Sequence, residues 1–351
     1  MWSCDRRQLR YWLKAAIAYQ NYLFAAPSPK MSSVELCCIH FQGDEMSTED
    51  EHSITNEKLV AVLSNAVAYV ANEAVVLGQY ERIQQGRFTQ LWPAGGDSED
   101  FEKRINRVVE HLGGPPELYL LRTGESPPPA DDYPASSMRE VFDVFRRARK
   151  SVIRAHLFMT GSTMLVEQPD LLQKPENPGT EELFKKHAQS AFWEHAEAAY
   201  IRLFSFWDRI GQALDFTFFN IRKFDHNGFH AVMDRIHANV RPMNDHLCNS
   251  GSWKRLRAFQ TSNKDDGLQF LLQRRNLLVH SLHLHPHRTD DDEMFKSQFN
   301  HLDEAHRKKL QPREPAAEAE LLVGQLNKAS TLFDDFLVLV EFSSSRKSSR
   351  W

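Results

Sequence analysis

The chain has 351 residues, of which 41% are hydrophobic and 26% charged, a balance that excludes a wholly disordered protein. Its 43 basic and 47 acidic residues give a net charge of −4, which excludes a uniformly basic, histone-like surface but allows a local basic site for nucleic acid. The length suits about two domains, or one domain with a large extension.

The cysteines and the apolar segments predict a cytoplasmic protein. The four cysteines show no paired spacing typical of a disulfide framework or a zinc site, so we expect reduced, buried thiols. The longest N-terminal apolar stretch, residues 13–26, is interrupted by Gln20 and Asn21 and is too short for a bilayer. We therefore predict neither a membrane span nor a targeting segment.

Residues 1–135 are predicted to form a mostly helical N-terminal extension. Periodicity indicates helices at about 56–85 and 99–112, whereas SVELCCIHF (33–41) and ELYLLRTG (117–124) could be short strands. The segment GESPPPADDYPAS (124–136) contains four prolines, which cannot continue a helix, and is predicted to be a linker.

Residues 137–343 are predicted to form an antiparallel helical bundle, which makes the fold mainly α. Ser137 and Glu140 form a plausible capping box for a first helix that ends near Met159. Further helices are expected at about 180–223, 228–240, 252–261, 265–282 and 315–342, where apolar residues recur every three or four positions. The tail SSSRKSSRW (residues 343–351) indicates disorder from residue 344 onward.

The helix at 265–282 carries the segment with the most chemistry. Its apolar residues Leu268, Leu272, Val279 and Leu282 fit one face, and Arg275 falls on that face. A buried guanidinium keeps its charge and needs compensation. We therefore expect Arg275 to meet a carboxylate such as Asp208 or Glu197, to reach the rim of the bundle, or to face a subunit interface.

Arg275-Asn276-Leu277-Leu278-Val279-His280 resembles the motif of the HEPN superfamily, in which an Arg followed by a polar residue precedes a His by four to six residues. HEPN domains are helical bundles, and the likeness extends to a long preceding helix whose segment 207–214 contains Asp208. The resemblance covers roughly residues 180–343 and does not reach the first 130 residues. It implies a HEPN-like bundle, which the predicted N-terminal extension precedes in the chain.

The resemblance implies a metal-independent endoribonuclease that needs no cofactor. In that reaction His280 acts as general acid or base, Arg275 holds the scissile phosphate and Asn276 orients either group, with Asp208 and Arg274 in supporting positions. The 2′-hydroxyl attack leaves 2′,3′-cyclic phosphate and 5′-hydroxyl ends. The family also implies a homodimer with a composite active site, and a toxin or phage-defence effector that a partner antitoxin silences.

Two basic clusters could track an RNA backbone. One comprises Lys254, Arg255 and Arg257, which with His283 we predict to contact RNA; the other comprises residues 146–150 and Arg154. Short basic faces on helices are also commonly just solvated. Sequence alone does not place either cluster relative to Arg275.

Two other functional classes remain open at the level of sequence. A non-catalytic HEPN-type module could bind RNA, nucleotide or protein and keep the motif for structural reasons. A metal-dependent hydrolase could use the histidine-rich segment at 280–287 or the helical set His226, His230, Asp234 and His237, although neither set shows a firm zinc pattern, and no metal is predicted. No glycine-rich phosphate loop and no G-x-S-x-G elbow occur in the sequence.

Overall fold

The computed structural model describes residues 56–92, 98–112, 133–167, 180–219, 228–239, 245–280, 303–304 and 313–348. Every regular element in these ranges is a helix, which confirms the prediction of a mainly α fold. The two predicted strands and most of the proline-rich linker lie outside the described residues. Among the described helices, none combines the length and the apolar character that a membrane span requires.

The described helices occur at the predicted positions along the chain, with different ends in several cases, except for the short helix at residues 245–249, which was not predicted. They are α1 (Asn56–Ile83), α2 (Ser98–Leu112), α3 (Tyr133–Glu167), α4 (Thr180–Phe218), α5 (Phe229–Asn239), α6 (Asp245–Asn249), α7 (Gly251–Thr261), α8 (Leu268–His280) and α9 (Pro315–Ser348).

Several predicted helix ends are wrong. Helix α3 begins at Tyr133, so Ser137 lies buried inside the helix instead of capping it. Pro134 is tolerated because a helix's first turn has no intrahelical partner for its N–H groups. The same helix continues to Glu167, beyond the predicted end near Met159. Helix α4 ends at Phe218 rather than near residue 223. Helix α9 continues to Ser348, which corrects the prediction of a disordered tail from residue 344.

The chain divides into two compact units, Met1–Ile83 and Gln84–Trp351. In the first unit the structure describes only α1, most of whose large apolar side chains are exposed, including Val67 and Tyr69. The second unit contains α2 to α9. Helix α2, predicted to belong to the N-terminal extension, packs against α3, α4 and α9 and so belongs to the compact helical unit.

The core of the second unit lies between α3, α4 and α9. The predicted stripe of α9, which includes Leu322, Leu326 and Phe333, is almost fully buried, as its steps of three and four residues require. Aromatic rings join this core to the shorter helices: Trp207 of α4 lies 4.4 Å from Phe259 of α7, measured between ring centroids. Helix α8 packs against α4 and α7 at one side of this core.

Candidate active site on helix α8

Helix α8 places three consecutive polar residues in three different environments. Arg274 is 1% exposed, Arg275 is half-buried and Asn276 is exposed. Successive residues of an α-helix differ by about 100° around its axis, so the three side chains pass from the core to solvent in two steps. The helix therefore supplies one internal and one accessible arginine.

The predicted packing face of α8 is wrong by one residue. Leu268, Leu271, Arg274 and Leu277 are buried, whereas Leu272 is half-buried and Val279 is 47% exposed; Leu282 lies outside the described residues. The buried positions recur at steps of three, so Arg274 and not Arg275 falls on the packing face. Both phases place an arginine on the packing face, and the local pattern does not show that Glu318, 44 residues away, compensates Arg274.

Arg274 is compensated by a buried network that joins three helices. Its Nη2 lies 3.3 Å from the carboxylate of Glu318, which is fully buried in the first turn of α9. Tyr200 of α4 donates its hydroxyl to Glu318 Oε1 at 2.6 Å. The guanidinium also lies 5.2 Å from the ring centroid of Phe270. The ion pair therefore ties α8 to α9, and the Tyr200 hydrogen bond adds α4 to the same network.

Two further contacts position the segments that lead into α8 and α9. The backbone N–H of Arg313 donates to Glu318 Oε2 at 3.2 Å, so the carboxylate also anchors the segment that leads into α9. The Gln325 amide donates to the carbonyl of Asp265 at 2.6 Å, just before α8 begins.

Burial, together with the charge of Glu318, raises the pKa of Tyr200 well above its ordinary value, so this hydroxyl stays protonated and donates.

Arg275 lies at the rim of this packed region. Its Nη1 donates to Oδ1 of Asn276 at 2.9 Å, and its guanidinium carbon is 5.6 Å from the ring centroid of Phe204 on α4. The stacking on Phe204 holds the arginine stem, while the outer edge of the guanidinium remains accessible. Among the outcomes that the sequence left open for Arg275, the structure supports a position at the rim of the bundle.

Asp208 lies behind Arg275 at the contact between α4 and α5. The backbone N–H of Phe229 donates to its carboxylate at the start of α5. A Cβ atom on Gly228 would lie 2.5 Å from Asp208 Oδ1, and one on Gly211 would lie 2.7 Å from the Phe229 backbone. Both glycines are therefore needed for the two helices to approach closely enough to enclose this carboxylate.

Burial raises the pKa of Asp208 to about 6, and the positive charge of Arg275 opposes that shift. The carboxylate is therefore ionised at neutral pH but gains a proton in mildly acidic solution. Because the hydrogen bond to Asp208 comes from Phe229, the influence of Arg275 on it is mainly electrostatic. Asp208 can steady the charge of Arg275 without occupying its guanidinium.

We expect replacement of Asp208 by Asn to stabilise the protein at neutral pH but not at pH 4.5. The folded pKa lies above the unfolded value of about 3.9, so the folded state binds more protons between these values, and the free energy of unfolding falls as pH rises through that window. Asn stays uncharged and still accepts the Phe229 N–H. The gain should reach about 1–2 kcal/mol above pH 7, allowing for solvent screening.

Urea unfolding from pH 4.5 to 7.5 measures this difference between Asp208→Asn and the wild type. Asp100→Asn on α2 is the control, since that carboxylate is largely exposed and its replacement relieves no buried charge. A pH-independent difference for Asp208→Asn would contradict the raised pKa.

The remaining predicted site residues lie at several places in the fold. His280 is the last residue of α8, but its side chain is not among the groups that the structure describes, and His283 lies outside the described residues. Lys254 is exposed on α7. Arg255 donates to Asp335 at 2.5 and 2.9 Å, and Arg257 pairs with the carboxylate of Asp234. Two of the three basic residues predicted to contact RNA are thus paired with carboxylates.

No cluster of metal-ligating side chains occurs among the residues that the structure describes. His230 Nε2 lies 3.3 Å from Asp234 Oδ2, but that carboxylate also pairs with Arg257, which competes with any cation. The His237 ring stacks parallel to Trp253 at a centroid distance of 6.3 Å. These residues form polar and aromatic contacts between α5 and α7.

Sequence reasoning missed Glu318 and Tyr200, the two partners that bury Arg274. The sequence signal at Glu318 is an acidic residue in the first turn of a helix, which alone indicates only a favourable interaction with the helix dipole. Tyr200 belongs to an aromatic stripe that predicts packing. Neither position suggested a buried ion pair on its own.

No protein-family model matches the chain, and comparisons with curated proteins and with solved structures also give no match. The candidate site therefore rests on its own geometry. The site brings together Arg274, Arg275, Asn276 and Asp208. Of these, Arg274 is buried and paired with Glu318, so its role is structural.

Proposed function

We propose that the protein is a metal-independent endoribonuclease whose site is built from Arg275, Asn276 and His280 of α8. The observation that carries the proposal is the contrast between neighbouring arginines: Arg274 fixes the helix by a buried ion pair, and Arg275 remains accessible beside exposed Asn276. A rigid helix that presents a guanidinium and a carboxamide at its surface suits the binding of a phosphate group.

The chemistry follows from these residue types. The ribose 2′-oxygen attacks the adjacent phosphorus while its proton passes to a base, and the bond to the 5′-oxygen breaks as that oxygen gains a proton. His280 serves as base or acid, since the ordinary pKa of His lies near neutral pH. Arg275 neutralises charge on the non-bridging oxygens. The products carry 2′,3′-cyclic phosphate and 5′-hydroxyl ends, and DNA lacks the attacking hydroxyl.

A homodimer with a composite site would complete this arrangement. Arg275 and His280 are five residues apart, hence about 140° apart around the helix, so one straight helix does not point both at the same phosphate. In a two-fold dimer, Arg275 of one chain can meet His280 of the other. We further propose that the enzyme acts in the cytoplasm as a toxin or phage-defence effector held in check by an antitoxin protein.

The test is cleavage of total RNA in excess EDTA by the wild type and by His280→Ala. We expect the wild type to cleave, to leave cyclic phosphate ends and to spare DNA, and we expect His280→Ala to lose at least 100-fold in rate with an unchanged melting temperature. Equal cleavage by both proteins would rule out His280. Absence of cleavage by a purified dimer free of inhibitor would replace the enzyme with a non-catalytic HEPN-type binding module.

A further inference from the structure

Arginines from α3 and α4 form a basic row away from the candidate active site. Arg147, Ser151 and Arg154 follow one another at four and three residues on α3, which places them on one face of the helix over about 10 Å. Arg202 of α4 meets the middle of this face, where its Nη1 donates to Ser151 Oγ and, at 3.5 Å, to the Arg147 carbonyl. Ser151 is fully buried and so positions Arg202. We call Arg147, Arg154 and Arg202 the arginine row.

The positive charges of Arg147 and Arg202 have no acidic counterpart within the described residues. The contacts of the Arg202 guanidinium are a hydroxyl and a carbonyl oxygen, both neutral. Its pKa is lowered, first by burial and then by the charges of Arg154 and Arg147. Like charges so close together raise the energy of the free protein, and a bound anion would relieve their repulsion.

The carboxylates nearest in sequence on α3 are engaged with other arginines. Asp143 accepts from Arg146 at 2.8 Å, and Glu140 lies 2.8 Å from Nε of Arg209. These two carboxylates therefore pair with Arg146 and Arg209, and neither of them neutralises Arg147 or Arg202.

We propose that the arginine row binds consecutive phosphates of single-stranded RNA. Guanidinium groups match phosphate oxygens in geometry, and a row of about 10 Å is longer than a single phosphate group. Arg202 and Phe204 are two residues apart, about 200° around α4, so the row lies on a different side of that helix from Arg275. It therefore holds RNA that flanks the scissile bond. The choice of RNA rests on the proposed function.

The test measures binding of a fluorescein-labelled 20-nucleotide single-stranded RNA by anisotropy at several salt concentrations. All variants are made in His280→Ala, so that cleavage does not interfere. We expect Arg147→Gln/Arg202→Gln to weaken binding at least tenfold at 0.1 M salt. The slope of log K against log salt should fall by about 1.4, which corresponds to two phosphate contacts with a single strand.

Arg146→Gln is the matched control, because Arg146 is adjacent, 74% exposed in its side chain and already paired with Asp143. It should leave the affinity within twofold and the salt slope unchanged. DNA of the same sequence should bind as the RNA does, since the contacts are to phosphate. If the double variant loses its helical circular dichroism, Arg147→Gln alone decides, with an expected slope change of about 0.7.

Wild-type affinity and salt slope in a folded Arg147→Gln/Arg202→Gln protein would overturn the proposal. Failure of the arginine row and failure of the proposed function give different results. Cleavage by the wild type, combined with unchanged binding in the double variant, removes the row and keeps the enzyme. Weakened binding in the double variant without any cleavage by the wild type keeps the row as an RNA-binding surface and removes the enzyme.

Discussion

Replacing Glu318 by Ala is expected to lower the free energy of unfolding by about 3–5 kcal/mol, the largest stability loss that we predict for a single substitution. The carboxylate is fully buried and accepts from Arg274, from the Tyr200 hydroxyl and from the Arg313 backbone. Its removal leaves a guanidinium in the core without its counter-ion. Several kcal/mol of desolvation are then no longer offset.

Asp334→Ala is the matched control, since Asp334 also lies on α9, is 66% exposed and pairs with Arg104, which keeps Glu341 as a second partner. Surface pairs of this kind contribute about 1 kcal/mol or less. Urea unfolding followed by circular dichroism compares the two. A loss for Glu318→Ala no greater than that of the control would show that the buried pair does not hold α8.

The buried network of Arg274, Glu318 and Tyr200 is expected to fix the position of α8 more than to add to the free energy of unfolding. Replacing Arg274, Glu318 and Tyr200 together by Met, Leu and Phe removes all three polar groups, and apolar substitutes of similar volume commonly restore the stability of a buried ionic network. We therefore expect this triple variant to unfold at a urea concentration near that of the wild type. The network would then serve mainly to fix α8 in register against α4 and α9.

The helices could be predicted from the sequence because their signals are local. Apolar residues at steps of three and four, as in the stripe of α9 from Leu322 to Val340, define a buried face from nearby residues alone. The helix ends were less accurate because competing signals are close together. Ser137 suggested a cap, yet Pro134 is compatible with an earlier start, and the helix follows the second signal.

The candidate site could be predicted only in part because its decisive contacts are far apart in the sequence. Arg274 is buried because Glu318 meets it from 44 residues away, and Arg255 is paired because Asp335 meets it from 80 residues away. Neither partner is visible in a local pattern. Whether an arginine is structural or available to a ligand therefore depends on tertiary contacts, which is why the motif was found but its phase on α8 was not.

Arg275→Ala is expected to reduce the rate of RNA cleavage by 100-fold or more while changing the free energy of unfolding by about 1 kcal/mol or less. The reason is its position: the guanidinium is half-buried at the rim, stacks on Phe204 and forms no buried ion pair within the described residues. Arg275→Lys should recover only part of the rate, because an ammonium group keeps the charge but not the forked geometry that matches two phosphate oxygens.

The neighbouring arginine provides the control for this prediction. In the triple variant that replaces Arg274, Glu318 and Tyr200, α8 keeps Arg275, Asn276 and His280, so a folded triple variant should retain cleavage within about tenfold of the wild type. Single-turnover cleavage of one labelled RNA measures all variants on the same scale. If the triple variant is folded but inactive and Arg275→Ala is active, catalysis depends on Arg274 and the proposed division between the two arginines is wrong. If the triple variant is active and Arg275→Ala is inactive, Arg274 has a structural role and Arg275 binds the phosphate.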